Sequence, residues 1–492
     1  YKNHIIVDSF IYNLKKYSLL TYCDNSSNLS LLSWHQSTQS IALDYLNKKV
    51  SLEINKKSLK EIATILRLYV EELIDSEDSI RTTLLVAHCE KLLSHKKMIT
   101  KEIQSLTEAD LGIVYYHLGY NMEAEKILER SIIDLEHYQD KIPYADALTY
   151  LGLAERRKGN YHTAEKLMMR SIVIYQAYPE KYQDLAQIFA LLGNVYRPMG
   201  EYDKAKHLIE KSLKIYQEHN DYDVGYAKTL IYLGNIHRLL GEYKKATELS
   251  EQALVIYRKH PNNYCGIARN LEYLGLLYNE IGLHDKALAM IIESHQNYEK
   301  HYGNCNNIQC DTSKMFLGIV LGESGEHEKA KEILVRSLAS YENHYGAEHV
   351  ETAFVKFHLA RAYARLRELE KARSLLEESL LVHKKYFGDT HPKIANILQF
   401  LGYIFFTKGD FEQAEKVIVD SINIFHHHPS RYKSLVLLGY IYMSRQDNVA
   451  QNRERALQYL MQALSITEIN FPAGSAHIKR VKDKIDILSL QQ

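Results

Sequence analysis

A chain of 492 residues is too long for one hydrophobic core, so it should hold several domains or an array of repeats. Lys plus Arg and Asp plus Glu are both 61, which excludes nucleic acid or an acidic membrane as partners drawn in by global charge. No apolar run reaches the roughly 18 residues of a membrane span, and five cysteines without a CxxC pair argue against a zinc site or a disulfide framework.

That cysteine usage fits a reducing compartment, and a cytoplasmic location is expected. No secretory signal opens the chain. It starts at Tyr1 rather than Met, so a piece of something longer is expected. Pro is scarce at 7 residues and long side chains are abundant, which suits a mostly helical chain.

Residues 1–50 follow no repeat. "FIYNLKKYSLLTYCDNSSNLSLLSWHQSTQSIALDYL" reads as an amphipathic helix, a turn cluster "DNSSN", a short apolar strand-like run and another helix. Residues 51–103 read as a helical linker containing "TLLVAHCEKLLSH".

From residue 104 onward the chain repeats itself. "LGNVYRPMGEYDKAKHLIEKSL" begins at Leu192 and "LGNIHRLLGEYKKATELSEQAL" at Leu233, with 12 of 22 positions identical. The "LG" or "LA" pair recurs at Leu111, Leu151, Leu192, Leu233, Leu274, Leu317, Leu359, Leu401 and Leu438. Twelve residues after its small residue comes an Ala (Ala124, Ala164, Ala205, Ala246, Ala287, Ala330, Ala372, Ala414), and seven further on another small residue, such as Ser212 or Ala253. A ninth unit keeps the spacing after an insertion, with Ala456 and Ala463. Apolar residues around each pair fall at helical spacing, and a Gly seven residues later, as at Gly200 and Gly241, stops the helix. Small residues mark where two helices cross closely, and a large residue such as Tyr175 or Tyr216 fills the gap to the next unit. Such units are stable as a stack and not singly.

These residues resemble the tetratricopeptide repeat in its long, 42-residue form, known from kinesin light chains and bacterial sensor proteins. The joints "HYG…H" and "FGDTHPKIA" are especially similar. The resemblance covers residues 104–470. It implies an all-α fold, a right-handed superhelical solenoid of nine helix-turn-helix repeats, closed by a capping helix over 471–492. Departures are Asp311 and Tyr432 in place of Ala, Arg367 in place of the stop Gly, and the insertion "SRQDNVAQNRER", which should splay the last unit.

The segment 1–50 resembles the winged-helix module of STAND (NB-ARC type) NTPases, which often continue into such repeats. In that family a His touches the nucleotide phosphate; it maps onto His35, beside Gln36 where relatives often have Asp. His35 as a structural residue at a helix start is the other reading. A GxxxxGK[ST] loop is absent, so an NTPase, if any, is expected upstream of Tyr1 and no enzyme activity or cofactor within this chain.

In the repeat family the first helices line the inside of the superhelix. The fourth position after the "LG" Gly gives Arg156, Arg197 and Arg238, the first gives Asn194 and Asn235, and the sixth before it gives Lys228 and Arg269. Beyond them the lining is expected to turn mixed, with Glu272, Glu280 and Glu323, then aromatic, with Phe354, Phe357, Tyr403 and Phe406. Arg forks pair with carboxylates and an Asn amide pairs with peptide backbone, so the strip suits an extended acidic peptide. The other reading is structural: a cation in a helix's last turn complements the dipole by ~0.3–1 kcal/mol without any ligand.

Other features have structural readings. Three consecutive His at 426–428 cannot all face one ion on a helix, so a solvated helix end is expected rather than a metal site. Cys305 and Cys310 flank "NNIQ" in a loop, and free thiols are expected there. The expected function is a protein- or peptide-binding scaffold, the sensor part of a STAND-type signalling protein with an upstream nucleotide-binding domain. The alternative is a stand-alone adaptor or bacterial effector of the kinesin-light-chain kind, in which case the host cytosol is its place. Neither nucleic acid nor membrane is an expected partner.

Overall fold

The computed structural model describes residues 20–23, 31–34, 52–76, 79–94, 99–260, 262–302, 308–426, 428–471 and 475–490. The chain divides into two compact bodies, Tyr1–Ala147 and Leu148–Gln492.

In the first body an antiparallel hairpin pairs Leu20–Cys23 with Leu31–Trp34. The helices expected on either side of it, and His35, lie outside the described residues. Two helices follow, Leu52–Ser76 and Ser79–Ser94, then the first repeat, Lys101–His117 with Asn121–Leu135. Ala63, Leu92 and Ile103 pack together between them.

The second body is built of helix pairs. The first helices of repeats three to nine are Tyr182–Tyr196, Val224–Leu239, Tyr264–Ile281, Ile308–Ser324, Val350–Arg365, Pro392–Thr407 and Arg431–Ser444. Their second helices are Tyr202–Glu218, Tyr243–Arg258, His284–Tyr302, His327–Tyr345, Leu369–Phe387, Phe411–Phe425 and Val449–Asn470. Repeat two has Ile142–Lys158 and Tyr161–Tyr175, and a last helix runs Ala476–Leu490. Apart from the hairpin, every described element is helical.

The lattice residues act as their spacing implies. A Cβ on Gly193 would lie 2.6 Å from Ile209 Cγ1 and 2.9 Å from the Ala205 carbonyl, so only Gly lets the two helices of the repeat approach. Ala205 is fully buried at that crossing. The lattice Ser does more than stay small. Ser294, Ser379 and Ser421 donate hydroxyl bonds of 2.7–2.8 Å to the carbonyls of Ala268, Ala353 and Ala395 in the first helix of the same repeat. A buried hydroxyl needs such a partner, and here the bond also fixes the crossing. Tyr175, Tyr298 and Tyr341 fill the spaces behind and are almost wholly buried.

The departures from the lattice are absorbed locally. Arg367 keeps the left-handed backbone of the Gly it replaces, with φ of 67°. Ser340 donates to the Asp311 carboxylate at 2.5 Å. Tyr432 is buried, exchanges a 2.7 Å hydrogen bond with His477 Nδ1 and packs on Phe471. The last pair is therefore sealed rather than splayed: its long second helix of 22 residues takes up the insertion, and Ile478, Val481 and Leu488 of the final helix join the same core. Cys310 is disulfide-bonded, which corrects the expectation of a free thiol there. Counting cysteines says nothing about which sulfurs packing brings together.

Repeats far apart in sequence also meet inside the second body. His349 Nδ1 accepts from the Glu351 amide at 3.2 Å, capping its helix, which leaves Nε2–H to reach the Arg157 carbonyl at 3.4 Å. His477 does likewise, with Nε2 on the Glu280 carbonyl at 2.9 Å. His428 caps through Ser430 at 3.1 Å and bonds toward the Leu239 carbonyl, so it is built into this contact rather than solvated as expected. Gly241 lies directly under the Pro429 ring. The stack coils back on itself, and the ends of first helices in repeats two, four and five meet the starts of repeats seven and nine and the last helix.

Candidate functional site

The first helices of successive repeats touch one another along the stack, so they lie on the inner side of this coil and their accessible side chains form its wall. In repeat four they are Lys228, Tyr232 and Arg238; in repeat seven Phe354, His358, Arg361 and Arg365. Both sets follow from one helical face repeated at fixed steps. The position three before the small residue turns away from the wall. Glu272 and Phe357, both expected on the lining, occupy it and are buried instead. Glu272 accepts a 3.3 Å bond from the Tyr298 hydroxyl, and burial pushes its carboxyl up to about 8.

The early part of the wall is internally satisfied at its centre. Arg238 Nε and Nη2 each donate to Asn235 Oδ1 at 3.1 Å, while Nη1 pairs with Glu280 of the next repeat at 2.6 Å. Asn235 is buried, and its amide nitrogen reaches the Tyr273 hydroxyl at 3.4 Å. These two residues thus form a staple between repeats four and five. Arg156 and Arg197 are half-buried, and the Nε of each is buried without a hydrogen-bond partner among the described residues. Both lie near the Tyr161 hydroxyl, whose pKa burial raises to about 12 against their opposing pull. Asn194 and Lys228 are half-buried and form no hydrogen bond or ion pair with a described residue; Arg269 is exposed and lies near Glu272. The structure brings Asn235 and Arg238 into contact and Arg156 and Arg197 around one tyrosine.

The late part of the wall carries cations that the sequence reading passed over. Lys393 lies over Phe387 at 4.9 Å and Phe354 at 5.2 Å. Burial lowers its pKa to about 8, with Glu351 opposing and Arg197 and Arg238 reinforcing. Arg361 is paired with Glu323, donates to His358 Nδ1 at 3.1 Å and lies over Phe400 at 4.7 Å. Its pKa falls to about 9 through burial and then the nearby Arg365. Lys433 is exposed, yet protein surrounds it closely enough to lower its pKa to about 8 by desolvation, then by Arg361. Burial first, and Lys393 second, hold His358, His383 and His391 neutral down to about 3. A signal for two of these cations was present: Lys433 holds the register of Lys228 and Arg269, and Arg361 that of Asn194 and Asn235. The wall therefore offers long-range attraction for anions, planar Arg forks and aromatic faces; among the described residues no group of three or more acidic, His or Cys side chains could hold a metal ion.

No curated protein matches the sequence significantly. Solved structures that align with the chain include a Rap protein complexed with competence and sporulation factor, at 13% identity over 81% of this chain and 99% of that one, with a TM-score of 0.47. The Rap conjugation gene regulator of plasmid pLS20 in complex with the Phr* peptide aligns at 15% identity over 58% of this chain and 74% of that one, with a TM-score of 0.48. BtubC (BKLC) from P. vanneervenii aligns at 17% identity over 47% of this chain and 91% of that one, with a TM-score of 0.33. The sequence matches the tetratricopeptide repeat family over 143–218, 184–259, 225–300, 309–380 and 349–425, more than half of its length. With that match and stacked helix pairs crossing on a lattice of Gly, Ala and Ser, the chain belongs to the tetratricopeptide repeat family.

Proposed function

We propose that this chain is a scaffold that holds an extended, acidic segment of a protein partner along the inner wall of its first helices. The observation that carries this reading is the surplus of cations on that wall. Glu280 and Glu323 are taken up by Arg238 and Arg361, which leaves Lys228, Lys393 and Lys433 without an acidic partner in hydrogen-bond range among the described residues. A segment bearing carboxylates supplies the missing counter-charge, and the stepwise repeat of the wall matches an extended chain. Arg156, Arg197 and Asn194 extend the surface toward the early repeats.

In this reading the scaffold is the ligand-sensing part of a larger STAND-type signalling protein, supported by the "YSLL…WHQ" pattern near the start of the chain. An adaptor of the kinesin-light-chain kind is the second reading, supported by the 42-residue period and its "HYG…H" joints. No catalytic role is proposed. Among the described residues no helix is long and apolar enough to cross a membrane.

The test is binding of a labelled Glu-rich peptide, followed by anisotropy, to the full chain and to Lys228→Glu with Lys393→Glu. Charge reversal should weaken capture by roughly tenfold or more and reduce its salt dependence. Equal affinity in both proteins would remove the wall as the binding surface.

A further inference from the structure

The late wall contains a feature that an extended acidic chain does not use up. A cavity of about 400 Å³ lies between repeats six and seven and the last helix, lined by His327, His358, Arg361, Arg365, Arg480 and Glu323 among others. That volume is at the low end for small-molecule sites and suits a compact group rather than a run of peptide.

Its charges do not balance. Glu323, the one acid in the lining, is already paired with Arg361. Arg365 lies over the Tyr403 ring at 5.2 Å, and neither it nor Arg480 has an acidic partner among the described residues. Lys433 stands close enough to Arg361, Arg365 and Arg480 to feel all three, and the nearby Glu280 is held by Arg238 at 2.6 Å. Two buried nitrogens on the lining, Arg361 Nε and His327 Nδ1, have no hydrogen-bond partner among the described residues. Like charges gathered around one recess repel one another, and buried polar nitrogens without partners are uncommon. A bound oxyanion offsets that repulsion and brings acceptor oxygens to the residues that carry those nitrogens. Guanidinium forks also match the edges of a tetrahedral oxyanion better than a single charge does.

We propose that this pocket binds a compact, multiply charged anion of the phosphate class, held by Arg365 and Arg480 with Arg361 at its base. The phosphate is either that of a free small polyphosphate or that of a phosphorylated side chain on a captured segment. The pocket stands apart from the extended-segment reading, because its lining includes none of Lys228, Lys393 and Lys433.

The experiment measures pyrophosphate binding to the full chain by calorimetry and thermal shift, with ionic strength held constant by chloride. A phosphoserine peptide and its unphosphorylated counterpart form the second arm. Arg365→Gln and Arg480→Gln are the test variants, both at exposed positions, so folding should be preserved, and Lys228→Glu is the control. Pyrophosphate should bind saturably, each test variant should weaken it tenfold or more, and Lys228→Glu should leave it unchanged while reducing capture of the Glu-rich peptide. Binding of the phosphoserine peptide alone, with the same dependence on Arg365 and Arg480, assigns the phosphate to a captured segment and also supports the site. Failure of both probes at millimolar concentration, or binding indifferent to both variants, overturns it.

Discussion

Repeats three and four and repeats seven to nine present cations from equivalent helical faces, yet the cations do different things. In the early repeats Arg238 is clamped by Asn235 and Glu280, so its charge is spent inside the stack. In the late repeats Lys393, Arg365 and Lys433 meet aromatic rings and other cations instead of carboxylates. The difference lies in the neighbouring acids: Glu280 pairs with Arg238, while Lys433 has no acidic partner in hydrogen-bond range among the described residues. A repeated cation is thus a structural staple or a binding group according to what its neighbour supplies.

Five substitutions would break or sharpen this contrast. The largest effect should come from neither wall but from the lattice beneath both: Gly193→Val should cost about 3 kcal/mol by forcing the crossing at Ile209 apart, read as a lower denaturant midpoint. Next, Glu280→Ala should cost about 2 kcal/mol, because it strands the Arg238 guanidinium, whereas Lys433→Met should leave the melting temperature unchanged or raise it. Equal losses in the two variants would erase the distinction between the walls.

Acid should strike the late repeats first. His358, His383 and His391 are held neutral to about 3, and His428 and His477 to about 4, below the ordinary 6.5 of an unfolded imidazole. The unfolded chain therefore takes up protons that the fold refuses. Their contribution to stability is complete above about pH 6.5 and drains away as pH falls toward 4. Glu272 has the opposite sign, since its folded pKa of about 8 makes its contribution disappear as pH rises through that value. Melting curves between pH 7.5 and 4.5 should show the loss, and His391→Asn, which keeps a helix cap, should flatten it. The smallest effect should be a gain: Arg367→Gly relieves a left-handed backbone and should stabilise by about 0.5 kcal/mol net of Gly's chain entropy, seen as a small rise in midpoint.

The sequence by itself determined the period, the helix pairing, the crossing points at Gly193 and Ala205, and the stops at Gly200 and Gly241. All of these rest on contacts within one repeat or between neighbours, where the lattice of small and large residues is a direct record of how close two helices come. Through the family resemblance it also led to the expectation that Arg238 and Lys228 share the inner wall. Only the tertiary structure decided that His349, His428 and His477 tie one turn of the coil to another, that Arg238 is consumed by Glu280, and that Arg361, Arg365, Lys433 and Arg480 converge. Those outcomes depend on the curvature accumulated over several repeats. Small rotations between neighbours add up along the stack, and no residue spacing records their sum.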